Sequence, residues 1–366
     1  MVRRLSGRLP DFPWDTIARA KQTAAAHPGG LVDLSVGTPV DPTPPVGARA
    51  LAEASDSPGY PVTTGTPALR SAMVGYLAGR WNAANLGVDG VLPVLGTKEL
   101  VAWLPTQLGL GSGDTVAFPT AAYPTYAVGA LLAGCRPLPV DHPDDLGDDR
   151  PALVWLNSPS NPTGAILDID QLTAWVRWAR DHDAVIASDE CYGEFGWEAD
   201  PVSVLDPRVC GDRHDGLLAV HSLSKRSNLA GYRAGFVGGD AAIVTELLAV
   251  RKHSGMIMPG PVQATMAVLL ADHDHVQVQR ERYLNRRRLL APALERAGFR
   301  VDHSEGGLYL WVTRDEDGRA SVDFLASHGI LAAPGDFYGD AARQHVRLAL
   351  TAPDERVTAA AERLAG

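Results

Sequence analysis

Residues 184–192 read AVIASDECY, and residues 217–225 read LLAVHSLSK. Each opens with an unbroken apolar run of strand length and ends on groups that carry chemistry: Asp189 and Tyr192 in the first, Ser222 and Lys225 in the second. A run without polar alternation belongs to a strand buried on both faces. Working outward, VLPVL (91–95), TVAFP (115–119), ALVWL (152–156) and AGFVG (234–238) repeat the pattern. Helical runs over 97–108, near 123–134 and near 168–182 separate them. The alternation predicts an α/β fold: a large domain with a mostly parallel central sheet covered by helices.

After Gly239 the pattern changes. Helical runs near 240–252 and 261–272 lead into a long one over 275–297, whose ERYLNRRR segment (281–288) reads as a solvated helix face. FRVDH, GGLYLWV, a short helix, GILAA, VRLAL and a closing helix then predict a smaller α+β unit. The acidic DHPDDLGDDRP (141–151) reads as a surface loop.

The 366 residues include 33 Lys+Arg against 43 Asp+Glu, a net charge of −10 that disfavours nucleic acid or an anionic membrane as partner. No stretch approaches the ~18 apolar residues of a membrane span. The opening MVRRLSGRLPDFPWD is basic without an apolar core behind it, so no secretory signal is expected. Cys135, Cys191 and Cys210 make an odd number without a CxxC pair and read as reduced thiols of a cytoplasmic protein.

Several motifs fail on inspection. GLGSGD (109–114) has Asp114 where a dinucleotide fingerprint needs glycine, and it follows a helical run rather than a strand. AspHisAspHis (272–275) reads as capping of the long helix rather than a metal cluster. Ser222-Leu-Ser-Lys225 matches SxxK, yet that hydrolase chemistry also needs S-D-N and K-T-G, and the only later lysine is Lys252, followed by His253.

What remains is a lysine, an aspartate and a tyrosine at strand exits, where open α/β sheets build their sites. A lysine beside an apolar interior is partly desolvated, which favours the neutral, nucleophilic amine. An amine with a carboxylate partner is what pyridoxal 5'-phosphate requires: lysine forms the Schiff base and an acid keeps the pyridine nitrogen protonated. VLPVLGTKEL (91–100) offers a strand, Gly96 and a helix N-terminus at Thr97–Lys98, which is either a plain strand–helix turn or an anion site for the phosphate.

These residues resemble a family. AsnSerProSerAsnProThrGly (157–164) is similar to the asparagine–proline motif of class I/II, fold-type I, pyridoxal-phosphate-dependent aminotransferases. SDECY (188–192), HSLSK (221–225) and GYRAG (231–235) resemble that family's other signatures in order. The resemblance implies Lys225 as Schiff-base lysine and proton carrier, Asp189 as partner of the pyridine nitrogen, and Tyr192 and Asn161 at the cofactor's 3-hydroxyl. It implies Tyr123 on the ring face, and Thr97, Lys98, Ser222 and Arg233 at the phosphate. Tyr60, in GYPVTTGTPALR, resembles a tyrosine that reaches the neighbouring subunit's phosphate, implying a homodimer with shared sites. Gly37, Asn161 and Arg347 match positions that hold the substrate, Gly37 and Arg347 at its α-carboxylate; an arginine fork suits that task. Residues 1–45 would then join the small domain and active site, 46–272 form the large cofactor-binding domain and 273–366 the small domain.

Within the family, RLPDFPWDTIARAK and YPVTTGTPALR most resemble actinobacterial succinyldiaminopimelate aminotransferases of lysine biosynthesis. That resemblance implies exchange between glutamate/2-oxoglutarate and N-succinyl-L,L-diaminopimelate (EC 2.6.1.17), and a cationic or NH-rich pocket for the distal carboxylate. Aspartate- or aromatic-type aminotransferases and carbon–sulfur β-lyases share the scaffold. A non-catalytic regulator would need a DNA-binding extension ahead of Gly37 and a less acidic chain.

Overall fold

The computed structural model describes residue 7, residues 9–10 and residues 13–365. Most of the basic opening, where no secretory signal is expected, therefore lies outside the described residues. A two-residue strand β1 (Val32–Asp33) precedes a principal sheet of seven. These are β2 (Val91–Leu95), β3 (Thr115–Phe118), β4 (Arg136–Pro139), β5 (Leu153–Asn157), β6 (Val185–Asp189), β7 (Leu217–Ser222) and β8 (Ala234–Gly239), in the order β2-β8-β7-β6-β5-β3-β4. The pairs among β3 to β7 are parallel, while β8 runs antiparallel to both β2 and β7.

The apolar runs become strands because both faces are covered. Every residue of β5, β7 and β8 is buried. β4 was not anticipated: its sequence, Arg-Pro-Leu-Pro, holds two prolines that cannot donate to a ladder, and such a strand survives only at an edge. The helices Thr97–Gln107, Thr125–Ala133 and Ile169–Asp181 fall where the periodicity predicts them. The last begins with a capping box, in which Asp168 Oδ1 accepts from Gln171 N at 2.8 Å and Gln171 Oε1 accepts from Asp168 N at 3.0 Å. Residues 109–114 form a loop between a helix and β3, tied by Gly111 N donating to Asp114 Oδ2.

A second sheet of four antiparallel strands follows: β9 (Arg300–Val301), β10 (Tyr309–Thr313), β12 (Ala333–Pro334) and β13 (His345–Ala349), ordered β12-β13-β10-β9. Between them β11 (Ile330–Leu331) pairs in parallel with β1, so the N-terminal segment joins this unit. One apolar cluster accordingly gathers Ile17, Ala24 and Leu34 with Leu290, Trp311 and Val346, while two others pack on the principal sheet.

The long helix Asp274–Arg296 departs from expectation. Its cap position is His273, which makes no side-chain cap bond, and Asp274 is already helical; Asp272, one residue before His273, accepts from His275 N at 3.1 Å. Its ERYLNRRR segment is only partly a solvated face. Tyr283 is fully buried, and Arg286 is 2% exposed because it is enclosed between Asp41 and Asp354. Charge runs conceal such residues, since the buried arginine is identical in type to its exposed neighbours. Among the described residues, no helix is long and apolar enough to cross a membrane.

Candidate active site

The ends of β2, β5, β6 and β7 open onto a cavity of about 760 Å³. Lys225, Asp189, Tyr192, Asn161 and Tyr123 line it, as do Thr97, Lys98, Ser222, Arg233, Gly37 and Arg347. Tyr60 does not: its side chain is 100% exposed.

Asp189, the last residue of β6, is buried. Tyr126 Oη donates to its Oδ2 at 2.9 Å and Cys191 N donates to its Oδ1 at 3.2 Å. Burial raises its pKa despite these bonds, which favour the carboxylate form and oppose the rise. A cationic N–H placed against this carboxylate would remove the penalty. Lys225 follows β7 by one short helical turn, Leu223–Arg226, whose start is capped by Ser222 Oγ accepting from Ser224 N at 3.1 Å. Its Nζ donates to Gly37 O, and burial lowers its pKa to about 8, with Arg347 and Arg233 pressing the same way. A sizeable neutral fraction near physiological pH makes it a nucleophile and a proton acceptor.

One end of the cavity is built for an anion. The helix Thr97–Gln107 points its N-terminus there, and the hydroxyls of Thr97 and Ser222 and the guanidinium of Arg233 flank it. Gly96 caps that helix at φ 78°, and a Cβ there would stand 2.3 Å from Arg233 Nη2. Only glycine lets the backbone turn while the arginine lies against it. Lys98 Nζ lies 5.9 Å from the centre of the Tyr123 ring.

The other end suits a carboxylate. Arg347, on β13 and 3% exposed, donates from Nη1 to Asn161 Oδ1 at 2.7 Å and from Nη2 to Ser35 O at 2.6 Å. Its guanidinium lies 4.1 Å from the centre of the Tyr309 ring and 5.0 Å from that of Tyr338. Its Nε is buried and makes no hydrogen bond. Tyr192 Oη and Tyr309 Oη are 3.0 Å apart, and burial raises the Tyr192 pKa. Gly37 lies so close beneath Tyr309 that a Cβ would meet its Oη at 2.3 Å.

Sequence reasoning missed Tyr126, Asn157, Cys191 and Tyr309. Three of them sit beside residues already singled out: Tyr126 three positions after Tyr123, Asn157 at the head of the asparagine–proline motif, and Cys191 inside SDECY. Asn157 is central: its Nδ2 donates to Asp189 O at 2.9 Å and its Oδ1 accepts from Asn161 N at 2.7 Å. Tyr309, in GGLYLWV, carries no local signal, because only the fold brings it to Tyr192.

The buried carboxylate, the desolvated amine, the aromatic wall and the hydroxyl- and arginine-lined helix N-terminus fit the ring nitrogen, aldehyde, ring face and phosphate of pyridoxal phosphate. Together with the mostly parallel sheet they define the class: fold-type I pyridoxal-phosphate-dependent enzymes. Residues 30–364 match the family of class I and II aminotransferases, and the chain belongs to it. It is 61% identical over 360 residues to a probable aminotransferase, Rv1178, of Mycobacterium tuberculosis, covering 98% of this chain and 86% of that protein. It is 59% identical to the 4-dedimethylamino-4-oxo-anhydrotetracycline transaminase OxyQ of Streptomyces rimosus, covering 97% and 99% of the two chains. An LL-diaminopimelate aminotransferase of Aquifex aeolicus is 30% identical, covering 97% and 96%. The solved structure of an aminotransferase from Neisseria meningitidis superposes with a TM-score of 0.90 at 30% identity, covering 99% of each chain. The protein is a pyridoxal-phosphate-dependent transaminase.

Proposed function

We propose that this transaminase exchanges the amino group between glutamate/2-oxoglutarate and N-succinyl-L,L-2,6-diaminopimelate, in the cytoplasm and as a homodimer with shared sites, within lysine biosynthesis. The observation that carries the reading is one cavity presenting the Lys225 amine at one point and the Arg347 guanidinium at another. That is the arrangement an α-amino acid needs. The resemblance of RLPDFPWDTIARAK and YPVTTGTPALR, and the LL-diaminopimelate aminotransferases among the relatives, support the diaminopimelate skeleton. The succinyl group extends the reading further, to a second carboxylate.

Pyridoxal phosphate, when bound, supplies an electron sink that acidifies the Cα–H bond of the amino acid. In this reading Asp189 holds the proton on the ring nitrogen, and Asn161 and Tyr192 hold the ring's 3-oxygen. Lys225 Nζ would accept the Cα proton and return it from the same side, since one tethered amine reaches only one face. Thr97, Lys98, Ser222 and Arg233 hold the phosphate, and Tyr60 reaches that of the partner subunit. Arg347 and Gly37 orient the α-carboxylate. The division into residues 1–45, 46–272 and 273–366 belongs to the same reading, supported by the apolar cluster that Ile17 and Leu34 share with the C-terminal unit.

One observation favours a second substrate class. The 59% identical Streptomyces rimosus relative is named for a polycyclic ketone, and Trp14, Tyr123 and Tyr309 would give such a ring aromatic walls. A panel of kcat/KM values separates the two: succinylated diaminopimelate against phenylalanine, aspartate and cystathionine, with 2-oxoglutarate as acceptor, and an aromatic ketone as alternative acceptor. A dicarboxylate preference of ten- to a hundredfold is expected, since an unpaired charge contact costs ~1.5–3 kcal/mol. A faster aromatic substrate overturns the diaminopimelate reading and leaves transamination standing. Pyruvate and ammonia from cystathionine would instead indicate a β-lyase.

A further inference from the structure

The helix Asp274–Arg296 carries His275, Gln279 and Arg286 on one face, at spacings of four and seven, and none of the three lines the active-site cavity. In its first turn His275 Nε2 meets Ser227 Oγ at 2.8 Å and His275 Nδ1 meets Asp272 Oδ1 at 2.6 Å. The order serine–histidine–aspartate is that of a hydrolytic triad, but Ser227 is 0% exposed and no substrate reaches it. One turn on, Gln279 Oε1 accepts from Asn228 Nδ2 at 2.8 Å, and Gln279 Nε2 donates to Asp41 Oδ2 at 2.7 Å. Arg286 then grips both Asp41 oxygens, at 2.6 and 2.9 Å. Asn228 Nδ2 donates to Pro42 O as well, at 3.2 Å.

The two segments so fastened both serve the cavity. Ser227 and Asn228 follow the turn that carries Lys225. Asp41 and Pro42 follow Val36, Gly37 and Thr38, which line the cavity as a strap. The strap's other end is fixed by Arg347 donating to Ser35 O and by Thr351 Oγ1 donating to Val36 O at 3.1 Å. Gly37 O, in its middle, accepts from Lys225 Nζ. Gln279 and Arg286 are almost wholly buried, where apolar side chains would pack at lower desolvation cost. What amides and guanidinium add is direction, since a hydrogen bond specifies distance and angle.

We propose that Gln279 and Asn228 are positioning residues for the substrate carboxylate. They hold the Gly37 strap in register with the Lys225 turn, using the long helix as a common frame. The inference rests on the reading that Gly37 and Arg347 receive the substrate α-carboxylate. Disorder of the strap would weaken substrate binding while leaving Asp189 and the phosphate end in place, since neither touches Asp41 or Gln279; Lys225 meets the strap at Gly37 O but is carried by its own turn, Leu223–Arg226.

The test uses the yellow holoenzyme and two variants at opposite ends of the strap, Gln279→Met and Thr351→Val. The dissociation constant for glutarate, a non-reacting dicarboxylate, is measured by calorimetry, alongside KM, kcat and the cofactor absorbance band against pH. Expected is a rise of about tenfold in the glutarate constant and in KM for both variants, with kcat within about twofold and the absorbance titration unmoved. An unchanged glutarate constant in Gln279→Met overturns the inference, whatever Thr351→Val does. So does a fall in kcat with a shifted absorbance titration, which would place the effect on Lys225. If the parent enzyme binds glutarate but transaminates nothing, the functional reading fails, while the glutarate constants still decide the role of the strap.

Discussion

Tyr126 donates its phenolic hydrogen to Asp189 Oδ2 at 2.9 Å, at a depth where both side chains are buried. The phenol is itself held against Trp155, with ring centres 5.1 Å apart. The bond favours the ionised form of the carboxylate. Its loss should therefore raise the Asp189 pKa further and leave the carboxylate less able to hold a proton on the ring nitrogen. Tyr126→Phe is expected to lower kcat by about tenfold, the worth of one hydrogen bond to a charged group, and to move the acid limb of the kcat–pH profile upward. An acid limb that stays put or moves down would show that Tyr126 does not govern Asp189.

Asp189→Ala should keep the cofactor and lose several orders of magnitude in turnover. A loss of only tenfold would mean that another carboxylate has been overlooked.

Lys225→Ala should abolish transamination with the fold intact, and normal turnover would remove the basis of the functional reading. Stability supplies a separate check. With a folded pKa of about 8 against an ordinary 10.5, the cofactor-free protein binds this proton more weakly folded than unfolded. The charged lysine thus disfavours folding by roughly 3 kcal/mol below pH 8, and the penalty fades as pH rises to 10.5. Lys225→Met should raise the Tm of cofactor-free protein at pH 7, with the gain shrinking through that window. A gain that grows with pH would contradict the burial argument.

Gly96→Ala places a methyl group where Arg233 Nη2 lies, on a backbone at φ 78° that disfavours a side chain. The strain is ~1–2 kcal/mol, and the displaced guanidinium leaves the anion end. Cofactor dissociation, followed by loss of absorbance on dialysis, should quicken by at least tenfold. Unaltered retention would remove Arg233 from the phosphate site.

Tyr60 is fully exposed and Val62 half-exposed, so the segment that carries them is free to meet a second copy. Mixing Tyr60→Phe subunits with Lys225→Ala subunits should restore part of the activity, since a shared site leaves one of the two sites in a heterodimer free of both changes. Sedimentation showing a fully active monomer would contradict the proposal.

The principal sheet was legible because burial on both faces leaves unbroken apolar runs such as Leu217–Val220. The site was legible where a strand ends in a chemical group, as at Asp189, or where a short motif persists, as around Asn161. Contacts made across the chain were not: Tyr309 reaches Tyr192 from 117 positions away, and nothing beside it in sequence announces the meeting. Arg286 was hidden for a different reason, since pairing with Asp41 can bury an arginine that its neighbours suggest is wet.

The reversed direction of β8 decides where Arg233 stands relative to the N-terminus of the helix Thr97–Gln107. In a parallel strand the residue before the first position lies at the far edge of the sheet, about 20 Å from the residue that follows the last, at ~3.3 Å per position. Because β8 runs against β2 and β7, Ala234 pairs with Leu95 and Gly235 with Ser222. Arg233 therefore enters its strand on the same rim at which Gly96 and Lys225 leave theirs. A single about-turn in an otherwise parallel sheet lets a residue that comes before a strand cooperate with residues that come after two others. The same arginine ahead of a strand of the opposite sense would face the other side of the molecule.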